Sequence, residues 1–230
     1  MFDTVVVTRG AEERAVREAL ARAGARPRVI ATGIGPRAAA LAAATVLAER
    51  PAHALVIGTC GALVPSLGIA DVLLYGRVRS VFGDPIVLDA GVAEAVFDAY
   101  PAALSGICGI STDRIATRAA EKRALSARFQ AHAVDMESYE IVRALQGERV
   151  PVAVVRIVSD VATGDLPDLN CALTGSGELD PSSLALSLLA APLGTLRLAM
   201  NGGAAVARFA PVLAALFASG SPAVRSVAAR

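Results

Sequence analysis

No tryptophan occurs in these 230 residues, and phenylalanine and tyrosine together supply only 4% of them. A surface that grips nucleic acid by stacking bases on rings would have little to build with. Two histidines, His53 and His132, are too few for a histidine-based zinc site. The three cysteines, Cys60, Cys108 and Cys171, are scattered, odd in number and without CxxC spacing. That usage fits a reduced cytoplasm and neither a disulfide framework nor a metal cluster, so no metal and no cofactor are expected. Charge is sparse and balanced, with 19% charged residues and a net of +1, which leaves no basic field for a nucleic acid partner. The start, MFDTVVVTRGAEE, lacks the basic opening and apolar centre of a secretory signal. The longest apolar runs, 38–48 and 183–194, fall short of the roughly 18 residues that a membrane span requires.

What the chain does have is aliphatic: 54% of it is hydrophobic, much of that alanine. Short β-branched runs alternate with alanine-rich helical stretches. TVVVT (4–8), RVIAT (28–32), ALVIG (54–58), LSGICGIST (104–112) and VPVAVVRIVSD (150–160) read as strands. AEERAVREALARAG (11–24), RAAEKRALSARF (118–129) and ESYEIVRALQG (137–147) read as helices. DVLLYGRVRSV (71–81) and PIVLD (85–89) have no room for a helix between them and read as an antiparallel excursion. The expected fold is a three-layer α/β single domain over 1–230, with a central mixed, largely parallel twisted sheet flanked by helices. A loop near 161–181 leads to a helical C-terminal extension at about 182–218, interrupted at Pro192, Gly202–Gly203 and Pro211.

Two glycine-rich turns follow strands. ATGIGPRAA holds Gly33, Gly35 and Ala38, the G-x-G-x-x-[G/A] spacing of a dinucleotide loop. That reading also wants an acid at the end of the next strand, and VIGTCGAL has none. The loop is then either a tight turn or a different anion- or nucleoside-binding loop that aims backbone N–H groups from a helix start. GTCGALVPSLGIADV (58–72) is the second turn, and two such turns on adjacent parallel strands would face one crevice. Carboxylates Asp135, Glu137 and Asp160 edge the most apolar segments, where an unused buried charge costs several kcal/mol. Asp160, at the carboxyl end of a buried strand, suits a general acid whose pKa burial raises; the competing reading is a turn cap or a pair with Arg156. Glu137 suits a bidentate grip on two hydroxyls and equally suits a helix-start acid. Asp135 points opposite to Met136 on an alternating strand and reads as a structural salt link.

GIGPRAAALAAATVL, GTCGALVPSLGIADV, STDRIAT, AVDMES and VRIVSD stand in the order and spacing of the nucleoside phosphorylase/nucleosidase superfamily, which the chain resembles over about 4–165. The resemblance is nearest to the branch holding methylthioadenosine/S-adenosylhomocysteine nucleosidase and futalosine hydrolase, and the tail resembles hopanoid-associated members. It implies a phosphorylase/hydrolase-like fold that cleaves the N-glycosidic bond of an adenine nucleoside modified at its 5′ position. Adenosylhopane is the substrate implied by the tail, and methylthioadenosine or S-adenosylhomocysteine is the alternative. By the same resemblance Asp160 serves adenine and Ser159 orients it. Glu137 holds the ribose with Met136 against the sugar, Ile115 forms the base platform, and Gly35, Gly58, Thr59 and Cys60 line the site. Glu13 is the acid that activates water, with Glu12 as its competitor. Phosphorolysis would need an arginine where this chain has Val56, although Cys60 resembles the phosphorylase version of the loop and Arg9 or Arg37 lies near the right turns. Water is therefore the favoured nucleophile and phosphate the second. The implied partners are a small nucleoside and a second copy of the chain in a dimer or larger ring. A lipid substrate would add a membrane-surface contact. A nucleoside-binding protein without catalysis is the non-enzymatic reading, and the presence of Asp160 argues against it.

Overall fold

A computed structural model describes residues 2–81 and 83–218. From the N-terminus, β1 (Thr4–Thr8), α1 (Ala11–Arg22), β2 (Arg28–Thr32), α2 (Pro36–Ala48) and β3 (Ala54–Ala62) follow the expected alternation. β4 (Val72–Ser80) and β5 (Ile86–Val87) pair antiparallel, which is the excursion that the missing helix between them requires. After them come α3 (Ala90–Ala99), β6 (Leu104–Ser111), α4 (Ala119–Phe129), β7 (Ala133–Asp135), α5 (Ser138–Gly147) and β8 (Val152–Asp160). A short 3₁₀ turn at Asn170–Ala172 precedes α6 (Pro181–Ala190), α7 (Pro192–Ala207) and α8 (Phe209–Leu216). Helix α3 escapes the sequence pattern because AGVAEAVFDA buries only Val92 and Val96; Asp89 starts it by accepting the Val92 N–H at 2.9 Å.

The sheet is mixed, with β1–β2, β1–β3, β3–β8, β4–β6 and β6–β7 parallel, and β3–β7, β4–β8 and β4–β5 antiparallel. Because β8 pairs with both β3 and β4, the strands β3, β8, β4, β6 and β7 join in a closed ring, and β1 and β2 extend it from β3. Alternation divides the apolar side chains between two layers. On one face Val5, Val7, Leu55, Ile57, Val155 and Ile157 pack under α1, α3, α7 and α8. On the other, Val6, Val56, Val154 and Val158 pack with α2 and α5. Helix α8 closes the first layer by setting Phe209, Val212, Leu213 and Leu216 against Val16, Ala19 and Leu20 of α1.

The C-terminal helices depart from the sequence expectation at two points. Gly202–Gly203 runs through α7 without a break, whereas the interruptions expected at Pro192 and Pro211 are present: Pro192 opens α7, and α7 ends at Ala207 so that Pro211 stands in the first turn of α8, where a missing N–H costs nothing. The stretch Pro192–Leu216, 25 residues with mean hydropathy 1.3 in its most apolar window, is also long and apolar enough to cross a membrane by length and composition. Runs counted without the intervening polar residues miss that.

Candidate active site

The site grows from the carboxyl ends of β3 and β8. Alternation along β8 aligns Val154, Arg156, Val158 and Asp160, and the pairing sets Gly58 of β3 opposite Arg156. A register shift between Cys60 and Gly61 then brings Gly61 opposite Asp160, so that Ser159 is the extra residue of a bulge. Both β3 positions must lack a side chain. A Cβ on Gly58 would overlap the Arg156 guanidinium and lie 2.9 Å from Glu12 Oε2. A Cβ on Gly61 would lie 2.9 Å from Asp160 Oδ1.

Arg156 is the hub. Its buried guanidinium ion-pairs with Asp135 Oδ2 at 3.3 Å and with Glu137 Oε2 at 3.4 Å, and it donates to Ser138 Oγ at 2.9 Å. Burial opposes its charge, yet Asp135 and Glu137 outweigh burial and push its pKa up. Asp135 is the structural link expected of it: Oδ1 accepts from Ser111 Oγ at 2.6 Å and from the N–H groups of Glu137 and Ser138, capping α5, while Oδ2 accepts from Ser138 Oγ.

Glu137 is buried at the start of α5. Its Oε1 accepts the Gly35 N–H at 3.1 Å, and burial pushes its pKa up to about 7 despite the pull of Arg156. This contact settles what the first glycine turn does. Ile34 N–H donates to Gly177 O at 2.7 Å and Gly35 N–H to Glu137, so the anion at the start of α2 is the protein's own carboxylate. Gly35 has φ of 96°, and its missing Cβ would lie 3.7 Å from Met136 Cε, which places Met136 against the same turn.

Glu12, not Glu13, enters the site. Its Oε1 accepts from Thr59 N–H at 3.2 Å and Thr59 Oγ1 at 2.5 Å, and its Oε2 is buried with no hydrogen-bond partner. Glu13 instead pairs with Arg17 at 2.9 Å, one turn along the outer face of α1. The helix period carried the answer, since Glu12 precedes the buried Val16 and Leu20 by one and two turns.

Asp160 meets a partner that the sequence reading missed. Lys122 of α4 has a fully buried side chain, and its Nζ donates to Asp160 Oδ2, to Val161 O at 2.9 Å and to Gly164 O at 3.1 Å. Burial raises the Asp160 pKa while Lys122 pulls it down, and burial prevails. The pairing with Arg156 weighed from the sequence does not form. Ser159 does not orient Asp160 either, because its Oγ donates to the Cys60 carbonyl at 3.3 Å. Cys60 turns into the apolar layer with Val56 and Val158, where burial raises its thiol pKa well above the ordinary value, so it is core and not lining.

Ile115 sits half-buried in a loop whose backbone Asn170 clamps from both sides, accepting from Ile115 N at 2.8 Å and donating to Ile115 O at 3.0 Å. Leu166 N–H to Thr117 O and Ala119 N–H to Asp165 Oδ1, each 2.8 Å, lace the same loop to the chain beyond Asp160. Gly177, with φ of 80°, rests on Ile34 and seals the far side of the glycine turn. A cavity of about 270 Å³ opens beside the cluster, with Pro36, Ser111, Thr112 and Tyr139 in its wall. Among the described residues no cluster of metal-binding side chains is present.

Chemically, the arrangement offers an unpartnered carboxylate oxygen, a second carboxylate on a guanidinium, and a third on a buried ammonium whose pKa burial raises. Solved structures with the same fold include the 5′-methylthioadenosine/S-adenosylhomocysteine nucleosidase of Neisseria meningitidis in complex with methylthio-immucillin-A. It is 19% identical, with a TM-score of 0.71 over 93% of this chain and 96% of that one. Futalosine hydrolase of Helicobacter pylori is 16% identical with a TM-score of 0.67, covering 91% and 95%. The Colwellia psychrerythraea 5′-methylthioadenosine/S-adenosylhomocysteine nucleosidase in complex with adenine is 18% identical with a TM-score of 0.63, covering 93% and 94%. No curated protein sequence matches. The phosphorylase superfamily model matches residues 3–174, so this chain, built on the fold of purine nucleoside-cleaving enzymes, belongs to the phosphorylase superfamily.

Proposed function

We propose that this protein hydrolyses the C1′–N9 bond of an adenine nucleoside modified at its 5′ position. The observation that carries the reading is Glu12 Oε2, a buried carboxylate oxygen with no partner beside the Arg156 guanidinium. An unpaired buried acceptor is costly, and a water molecule that donates to it would be satisfied and activated at once. In the step proposed, the water oxygen bonds to C1′ as the C1′–N9 bond breaks, and the water proton passes to Glu12. Asp160, backed by Lys122, gives a proton to the departing purine. Glu137, aimed by Arg156 and Gly35 N–H, accepts from the ribose hydroxyls and sets negative charge near the cationic sugar. Met136 lies against the sugar, and the Ile115 loop forms the wall for the base.

Water is favoured over phosphate because the surroundings are poor in free positive charge. Val56 is buried apolar, Arg37 is exposed, and Arg9 is an exposed partner of Glu178 at 3.6 Å. Arg156 is committed to Asp135 and Glu137. Thr59, whose N–H and hydroxyl would suit an anion, serves Glu12 instead. The finer reading carried from the sequence is an apolar 5′ group, with adenosylhopane as the named case and methylthioadenosine or S-adenosylhomocysteine as the alternative. A homo-oligomer in the cytoplasm belongs to the same reading.

The test is adenine release from a panel of 5′-modified adenosines with and without phosphate. Free sugar formed without phosphate is expected, and sugar 1-phosphate as product would overturn hydrolysis. Glu12→Gln and Asp160→Asn should each abolish release while nucleoside still binds, and Glu13→Gln should leave the rate within about two-fold. Full activity in Asp160→Asn would remove the assigned acid.

A further inference from the structure

The acidic residues stop at Asp180. Before position 181 the chain carries 18 basic and 21 acidic residues; after it come Arg197, Arg208, Arg225 and Arg230 and no acid. In the described part of this tail, α6 and α7 turn an apolar stripe outward. Leu186 and Leu189 of α6 and Leu193, Leu196 and Met200 of α7 are each more than half exposed, and they are five of the nine large exposed hydrophobics among the described residues. Along α7 the stripe runs at i, i+3 and i+7 from Leu193, continues through the exposed Ala204 and Ala207, and has Arg197 and Arg208 along one edge. Neither arginine makes an ion pair or hydrogen bond among the described residues.

We propose that this α6–α7 face is a docking surface for an anionic lipid bilayer, lying in the headgroup plane with its leucines in the acyl boundary and its arginines on lipid phosphates. The pattern is that of an interfacial helix: apolar on one face, cationic at the margin, without acid. A second copy of the chain fits less well, because a two-fold contact through this stripe would bring arginines together with no acid on the face to pair them. A membrane span fits less well too. Crossing would strip Phe209, Val212, Leu213 and Leu216 of α8 from their contacts with α1, whereas contact in the plane uses only side chains already outside. The face begins where the chain leaves the site, since Gly194 packs against Pro167 and the Cys171 thiol lies 2.9 Å from Ser187 Oγ. The proposal stands apart from the reaction, and a failure of either leaves the other in place.

The full chain is mixed with vesicles containing phosphatidylglycerol and, in parallel, with vesicles of phosphatidylcholine alone, and the sedimenting fraction is measured. Binding to the anionic vesicles that weakens with salt is expected, with little on the neutral ones. Leu193→Glu with Leu196→Glu should lower the bound fraction about ten-fold, with an unchanged far-ultraviolet spectrum and unchanged adenine release from a water-soluble nucleoside. Arg197→Gln with Arg208→Gln should weaken binding while the apolar stripe stays intact. The proposal is overturned if the wild-type chain stays in the supernatant at low salt, or if both double variants bind as it does. It is also overturned if Leu193→Glu with Leu196→Glu splits a larger assembly in light scattering without altering vesicle binding, which would make the face a subunit contact.

Discussion

Replacing Lys122 with methionine removes the ammonium that Asp160 faces and keeps most of the stem's volume. The structure divides the consequence into two parts. Three hydrogen bonds disappear, to Asp160 Oδ2 and to the carbonyls of Val161 and Gly164. A charged group loses its buried partner, a change that costs about 3–5 kcal/mol when the remaining charge has no escape. Asp160 does have one, because its side chain keeps 13% exposure and can take up a proton. With Lys122 gone, the group that lowers its pKa is gone while burial still raises it, so the pKa climbs further. The full penalty should then appear only at alkaline pH, where Asp160 is charged in both folded and unfolded chains. In acid the deficit should shrink toward the cost of two carbonyls without donors, about 1–3 kcal/mol each. Urea unfolding of wild type and variant at about pH 5 and about pH 9 measures the difference. Adenine release gives an independent reading: if Asp160 is the proposed acid, the alkaline limb of the pH profile should move to higher pH. An equal stability deficit at both pH values together with an unmoved limb would refute the coupling.

Glu137, pushed up to about 7 from 4.5, holds its proton to higher pH in the folded chain than in the unfolded one. Its contribution is therefore complete below about pH 4.5 and fades as pH rises through 7, amounting to about 3 kcal/mol at 1.36 kcal/mol per pH unit. Glu137→Gln should flatten the loss of stability over that window, as seen in unfolding midpoints taken at several pH values. Gly58→Ala should displace Arg156 and Glu12 together, costing about 1–3 kcal/mol in stability and at least about 100-fold in kcat/KM, measured by urea unfolding and base release. Gly177→Ala forces a side chain into a left-handed position against the Ile34 carbonyl. It should cost about 1–3 kcal/mol and raise KM more than it lowers kcat, since the turn it breaks supports the Gly35 N–H on Glu137, the proposed ribose grip, and neither Glu12 nor Asp160.

The layers were legible from the sequence because alternation and helical spacing are local, and TVVVT, RVIAT and VPVAVVRIV state them directly. Ring closure was not legible, because nothing in DVLLYGRV says that β8 will take β4 as its second neighbour. At the site, Asp135, Glu137 and Asp160 announced themselves as charges beside apolar runs. Glu12 was readable from its spacing to Val16 and Leu20, a signal stronger than nearness to the end of β1. Lys122 left no local trace, since α4 buries little else and what covers the lysine is the carbonyl-lined loop at 161–164, some forty residues away. Ser159 was misassigned because the register shift at Gly61 makes it the extra residue of a bulge, and Cys60 because alternation puts it on the same face of β3 as the buried Val56.

The packing of α8 on α1 has a consequence for the timing of activity. Glu12 rides on α1, and the back of α1 is wrapped by residues 209–216, nearly two hundred positions downstream. A nascent chain that has emerged as far as Asp160 already holds every acid of the cleft, yet the helix that aims one of them still presents Val16, Ala19 and Leu20 to solvent. Competence should therefore arrive abruptly during synthesis, once residue 216 is free to dock, and not by degrees as the acids appear.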